Sequence, residues 1–170
     1  MDKTNIVMIG MPASGKSTIG VILAKLLGKG FIDTDLVIQQ REGSLLCDLI
    51  EKKGTEGFLK CEEEAVLSVH PENAVIATGG SVVYSDRAMR YLSSIATVIY
   101  LKVEKAELFH RLHNIRERGV VLRNGETLDG MYDSRTALYE KYADIVIEEK
   151  GGNIEETLGK IEKQYAERMG

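Results

Sequence analysis

The sequence predicts a three-layer α/β protein, a parallel sheet flanked by helices, and three observations carry that expectation. Strand-like apolar runs alternate with helical patterns, the order that builds parallel sheets through right-handed crossovers. Gly10-Met11-Pro12-Ala13-Ser14-Gly15-Lys16-Ser17 fits the phosphate-cradling spacing G-x-x-x-x-G-K-[ST] at a strand-to-helix junction. The 170 residues, 44% of them hydrophobic, show no internal repeat and suffice for one domain with a sizeable core.

Asn5-Ile6-Val7-Met8-Ile9 is β-rich and reads as the first strand, and beyond the loop Ile19, Ile22, Leu23, Leu26 and Leu27 recur at helical spacing. Gly28-Lys29-Gly30 ends that helix, and Phe31-Ile32-Asp33 reads as a short second strand that delivers Asp33-Thr34-Asp35 at its far end. Helical stretches are expected at about 36–42, 44–53 and 55–69, with breaks at Gly43 and Gly54 and Ser44 as an N-cap. Residues 36–69 then form a helical lobe over the sheet.

Ala74-Val75-Ile76-Ala77 is the third strand, opening into Thr78-Gly79-Gly80-Ser81, and residues 97–101 are the fourth. A helix over 105–116 leads to a polar stretch between Gly119 and Gly130, so that 117–130 is the expected lid, with hinge freedom at Gly119, Gly125 and Gly130. A helix to Tyr142, a fifth strand at 144–147 and a terminal helix complete the chain.

Several function classes are disfavoured. A net charge of −4 with interspersed signs offers no basic face to a nucleic-acid backbone. The longest apolar runs fall short of the roughly 18 residues that cross a bilayer, and the N-terminus lacks a basic-then-apolar secretory pattern. A cytoplasmic monomer with small-molecule partners is expected, in which Cys47 and Cys61, without metal-type spacing, stay reduced.

The glycine-rich loop points successive N–H groups at phosphate oxygens, and the helix after it adds its partial positive N-terminus. Gly10, Pro12, Ala13, Ser14, Gly15 and Thr18 accordingly belong to the expected nucleotide site, with Lys16 reaching the β- and γ-phosphates and Ser17 offering a hydroxyl to Mg²⁺. In an open parallel sheet, ligands gather beyond the carboxyl ends of the strands. The phosphate loop, the Asp33–Asp35 segment and the Gly79-Gly80 turn all fall there.

Taken together, GMPASGKSTIG, FIDTDLVIQQREG, VIATGG, the Arg111 and Arg118 pair and SRTALYEKYADIVI make the chain resemble the shikimate kinase family of small phosphate-loop kinases, from about Ile6 to Ile147. The resemblance implies a five-stranded parallel sheet with a substrate lobe and a mobile lid, and transfer of the γ-phosphoryl of ATP, with Mg²⁺, to a ring hydroxyl of shikimate. It assigns Asp35 to the substrate hydroxyls and to the proton of the attacking one, and Asp33 to Mg²⁺ through water. Asp35 also suits an N-cap of the next helix. Lys16 and Arg118 neutralise the transferring phosphoryl, Arg111 lies against the adenine, Gly79 and Gly80 let the backbone approach the substrate, and Arg135 grips its carboxylate. Glu62 matches the family's substrate-side glutamate.

The chain departs from the family pattern at four places. Leu59 stands where a second carboxylate-binding arginine is expected, and Lys60 next to it diverges in direction by about 100° on a helix. Ser81 replaces a third glycine, Arg118-Gly119 replaces Arg-Pro at the lid, and Ala13 stands where many members have glycine. A related kinase with another small hydroxylated acceptor therefore stays open. So do a nucleoside monophosphate kinase and an ATP-responsive binding module, although Asp33-Thr34-Asp35 and Thr78-Gly79-Gly80 favour a polyol acceptor.

Overall fold

A computed structural model describes residues 3–112 and 120–170. The chain runs β1 (Asn5–Ile9), α1 (Lys16–Leu26), β2 (Gly30–Asp33), α2 (Thr34–Glu42), α3 (Leu46–Ser68), β3 (Ala74–Ala77), a 3-10 turn at Val82–Tyr84, α4 (Asp86–Ile95), β4 (Ala96–Val103), α5 (Lys105–Arg111), α6 (Leu128–Tyr142), β5 (Ile145–Glu149) and α7 (Ile154–Met169). The five strands form one sheet in the order β2-β3-β1-β4-β5, and every neighbouring pair is parallel.

β1 lies at the centre because it is apolar on both faces, as a strand covered on two sides must be. Ile6 and Met8 pack with Ile19 and Leu23 of α1 and Leu158 and Ile161 of α7. Val7 and Ile9 pack on the other side with Met89 and Leu92 of α4, Leu108 of α5 and Met131 and Tyr139 of α6. The expected three layers result. Register sets Met8 level with both Ala77 and Ile99, so the chain leaves β1 and β3 at one end of the sheet. That end carries the site.

A third apolar cluster joins Ile38 of α2, Leu49, Phe58, Cys61 and Ala65 of α3, and Val121. It is the small core of the helical segment expected at 36–69. Gly54 breaks α3 with φ 69 and ψ 178, where the sequence reading places a break. Cys47 and Cys61 are both free. No helix among the described residues is long and apolar enough to cross a membrane.

Local chemistry moves several boundaries. α2 begins at Thr34 rather than at 36, because the Asp33 carboxylate caps it by accepting the Asp35 N–H; Asp35 is therefore a first-turn residue and not the cap. Ser44 is not the cap of α3 either, since Leu45 holds that position without a side-chain bond. α4, with its Ser85 cap, has no counterpart among the expected elements. α5 ends at Arg111 with Leu112 as its C-cap, and residues 113–116 of the helix expected to 116 lie outside the described residues. α6 starts at Leu128, so Gly130 sits in a first helical turn capped by Thr127.

Candidate active site

The phosphate loop connects β1 to α1, and Lys16, at the start of the helix, is buried at its centre. Its ammonium donates to Gly10 O at 2.9 Å, Met11 O at 2.7 Å and Ser14 Oγ at 3.3 Å. Ala13 has φ 62, in the left-handed region that costs a side-chain-bearing residue about 1–2 kcal/mol, which gives the glycine common at this place in the family pattern a physical reason. Ser17 and Thr18 are exposed beyond Lys16. Ser17 Oγ donates to Asp33 Oδ2 at 2.6 Å. That hydroxyl and carboxylate are the hard oxygens a Mg²⁺ ion takes when phosphates and waters complete its octahedron, so the residues present fit the ion. No cluster of three or more His, Cys, Asp or Glu residues suited to a metal occurs among the described residues.

The acceptor end is built around Gly79 and Gly80, just past β3. The Gly79 N–H donates to Thr34 Oγ1 at 3.3 Å, tying the turn to the start of α2. A Cβ on Gly79 would stand 2.4 Å from Glu62 Oε1 and 2.9 Å from Asp35 Oδ1; one on Gly80 would stand 2.7 Å from Pro12 Cδ and 3.0 Å from Arg135 Nη1. These glycines are required by close approach, because four functional segments converge on their bare α-carbons. Asp35, Glu62, Arg135, Lys16 and the loop residues Pro12, Ala13, Gly15, Ser17 and Thr18 line one cavity of about 300 Å³. Its rim includes Val120 and Val121, at the start of the expected lid.

Arg135, on α6, is 1% exposed and rigidly held. Nη2 donates to Val121 O and Nε to Tyr84 Oη at 3.3 Å, and its guanidinium lies 5.2 Å from the Tyr84 ring centre. Arg123 lies over the same ring at 3.9 Å. Tyr139 Oη donates to Gly80 O, fixing the glycine turn from α6. On the other wall, Ser81 Oγ donates to Glu62 Oε2 at 2.6 Å.

The enclosure perturbs the titrating groups. Burial lowers Lys16 to about 8 against the attraction of Asp35. Asp35 is half-buried, open to the cavity, and loss of solvent followed by repulsion from Asp33 raises it to about 6, with Lys16 opposing. Burial raises Glu62 to about 7, against the Ser81 hydrogen bond. Arg135 is held above its ordinary value: burial, the largest influence, works against this, and Tyr139, Tyr84 and Glu62 outweigh it. The site thus pairs a carboxylate raised in pKa, Asp35, with a buried ammonium lowered in pKa, Lys16.

The residues expected from sequence fall into three groups. Those of the phosphate loop, Asp33, Asp35, Glu62, Gly79, Gly80 and Arg135 all come together at this crevice. Arg111 stands at the outer side of the loop, lining a second hollow with Ser14, Gly15, Thr18 and Gly152, and is ion-paired to Glu107 at 2.7 Å and Glu149 at 2.9 Å rather than lying on a freely solvated face. Arg118 lies outside the described residues. Lys60 is exposed, and neither it nor Leu59 lines the cavity, so Arg135 is the guanidinium among the described lining residues. Sequence reasoning missed Thr34, Tyr84 and Tyr139, whose hydrogen bonds hold the site's own backbone and arginine; only Thr34, lying between the two aspartates, carried any local signal.

A parallel sheet of this order, with a phosphate loop after β1 and beside it a cavity lined by Asp35, Glu62, Lys16 and Arg135, has the architecture of a phosphate-loop kinase. A family model described as shikimate kinase matches residues 12–166. A shikimate kinase of Histophilus somni is 38% identical over 151 residues, 86% of each chain, and one of Clostridium botulinum is 36% identical over 170 residues, 98% of each. The solved shikimate kinase from Acinetobacter baumannii in complex with shikimate is 27% identical, with a TM-score of 0.85 over 96% of this chain and 93% of that one. The chain belongs to the shikimate kinase family, and it is an ATP-dependent phosphotransferase with an alcohol group as acceptor. Membership sets aside the nucleoside monophosphate kinase and binding-module alternatives.

Proposed function

We propose that this enzyme transfers the γ-phosphoryl of ATP to a ring hydroxyl of shikimate, giving shikimate 3-phosphate, as a cytoplasmic protein. The observation that carries the reading is the single cavity in which the phosphate loop with Lys16 meets Asp35 and, across the Gly79-Gly80 turn, the buried Arg135. Phosphoryl transfer depends on positioning and on charge stabilisation, and the residues divide that work. Arg135 holds the carboxylate of the acceptor, which fixes the ring. Asp35, ionised above about 6, accepts the hydrogen bond of the attacking hydroxyl and takes its proton. Lys16 and Arg118 stabilise the charge on the phosphoryl oxygens, and Arg111 flanks the adenine. Ser17 and Asp33 are the residues that would hold Mg²⁺, Asp33 through water, and the ion would supply neutralisation of phosphate charge. The lid expected at 117–130, of which 117–119 lie outside the described residues and Leu128 to Gly130 belong to the first turn of α6, would close over the transfer site, and residues 36–69 would shape the acceptor pocket.

Leu59 supports a second reading, a related small hydroxylated acceptor, because among the described residues the acceptor end carries one guanidinium, Arg135, where the family pattern has two. Mass spectrometry of ATP- and Mg²⁺-dependent phosphorylation, with shikimate beside a panel of polyols, sugar acids and hydroxy amino acids, separates the two. Efficient transfer to shikimate is expected; transfer to a panel member alone would refute the assignment.

A further inference from the structure

Tyr84, at the end of the 3-10 turn, touches both the acceptor-site arginine and the segment that follows the undescribed residues. Its hydroxyl accepts from Arg135 Nε at 3.3 Å and lies 3.3 Å from Ser134 Oγ. A guanidinium only donates, so the arginine takes a lone pair of the phenol and the Tyr84 proton is directed to Ser134. Ser134 shares its own proton between Met131 O at 3.2 Å and Glu126 Oε1 at 3.3 Å, and Glu126 Oε2 accepts the Arg123 N–H at 3.1 Å. The Arg123 guanidinium then returns to the Tyr84 ring, 3.9 Å from its centre. This closed circuit joins the 3-10 turn, α6 and residues 123–126, and Arg135 Nη2 is tied to the same segment through Val121 O. Tyr84 does not line the cavity, whereas Arg135 and Val121 do.

We propose that Tyr84 is a positioning residue for the acceptor: its oxygen sets the Arg135 guanidinium, and its ring docks residues 120–126 beside that guanidinium through Arg123. The inference rests on the reading that Arg135 holds the acceptor's carboxylate. A planar fork is worth most at one angle to a carboxylate, so a contact outside the cavity that fixes the angle governs how tightly the acid is held.

The test is steady-state kinetics of the whole chain with shikimate and ATP varied separately, beside calorimetric titration of shikimate and of its carboxamide, which keeps the ring hydroxyls and lacks the charge. Tyr84→Phe keeps the ring that Arg123 stacks on and removes the oxygen that Arg135 binds, so KM and Kd for shikimate should rise about tenfold with KM for ATP unchanged. For the carboxamide the penalty should shrink to about threefold or less, because the coupling runs through the charge. Arg123→Gln should weaken shikimate binding by about two- to fivefold in the wild type and in Tyr84→Phe, and add nothing in Tyr84→Leu, which offers no ring. A merely structural role lowers Tm and penalises shikimate, carboxamide and ATP alike; that result overturns the proposal, as does a wild-type KM for shikimate in Tyr84→Phe. If Tyr84→Phe fails to fold, Arg123→Gln decides alone, since it changes an exposed side chain: a loss for shikimate that exceeds the loss for the carboxamide supports the proposal, and no loss overturns it. Absence of shikimate phosphorylation by the wild type refutes the acceptor assignment instead, and this proposal with it.

Discussion

Replacing Gly79 by alanine tests whether close approach at the glycine turn positions the reacting groups. The new Cβ falls 2.4 Å from Glu62 Oε1 and 2.9 Å from Asp35 Oδ1, against an ordinary contact of 3.4 Å or more. Glu62 must recede by about 1 Å and Asp35 by about half that. Glu62 cannot recede freely, since Oε2 is tied to Ser81 and the side chain is buried. Asp35 sits in the first turn of α2, so its carboxylate swings away from the turn by side-chain rotation and leaves the position it holds in the cavity. A misplacement of this size in a catalytic group costs on the order of 100-fold in rate, or about 2.7 kcal/mol of barrier. Overpacking a tight site adds about 1–3 kcal/mol of instability, a Tm loss of about 2–12 °C for a domain this size. A coupled kinase assay with shikimate and ATP varied separately should show kcat reduced about 100-fold and KM for ATP unchanged. If Gly79→Ala retains kcat within about threefold and the wild-type KM for shikimate, close approach at this turn does not set the geometry.

Three further outcomes are expected. Asp35→Asn should lower kcat by on the order of 10²–10⁴-fold; wild-type kcat/KM should rise through about pH 6 as Asp35 loses its proton, and a pH profile of the variant should lack that acid limb. Arg135→Lys keeps the charge and loses the fork, so KM for shikimate should rise more than tenfold, equivalent to about 1.5–3 kcal/mol, with KM for ATP unchanged in steady-state kinetics. Glu62 is raised from 4.5 to about 7 in the folded protein, so its contribution is fully present below 4.5 and is lost as pH rises through about 7; the wild type should give up roughly 3 kcal/mol relative to Glu62→Gln across that window, read as a widening gap in Tm between about pH 4.5 and 8.

What sequence made legible was whatever is local along the chain. The phosphate loop declares itself because eight consecutive residues and their flanking strand and helix encode it, and β1, β3 and β4 read as buried because their runs are apolar on both faces. Helix starts were harder. Asp33 and Asp35 both carry capping carboxylates, and only the extended backbone at Asp33, with φ −109 and ψ 116, decides between them. α4 escaped because a ten-residue helix of Asp86, Arg87, Arg90 and two serines buries only Ala88, Met89 and Leu92. The least visible part of the site is long-range: Ser81 meets Glu62 across 19 positions, Tyr139 meets Gly80 across 59, and Tyr84 meets Arg135 across 51. Folding creates those pairs, and no spacing in the sequence announces them. Leu59 stands where the family pattern has an arginine, and it does not line the cavity.

The lysine at the centre of the phosphate loop has a role before any nucleotide arrives. Lys16 places its ammonium among Gly10 O, Met11 O and Ser14 Oγ, which can take up all three of its N–H donors. The cradle is thereby closed upon its own cation. An incoming anion enters by exchange, and it must offer the lysine more than two carbonyls and a hydroxyl already do. A singly charged anion such as chloride brings one small charge and no geometry that spans the loop. A polyphosphate brings several charged oxygens, occupying the backbone N–H groups and the lysine together. A ligand that takes up this lysine must therefore replace three hydrogen bonds, which one carrying several charged oxygens can do at once.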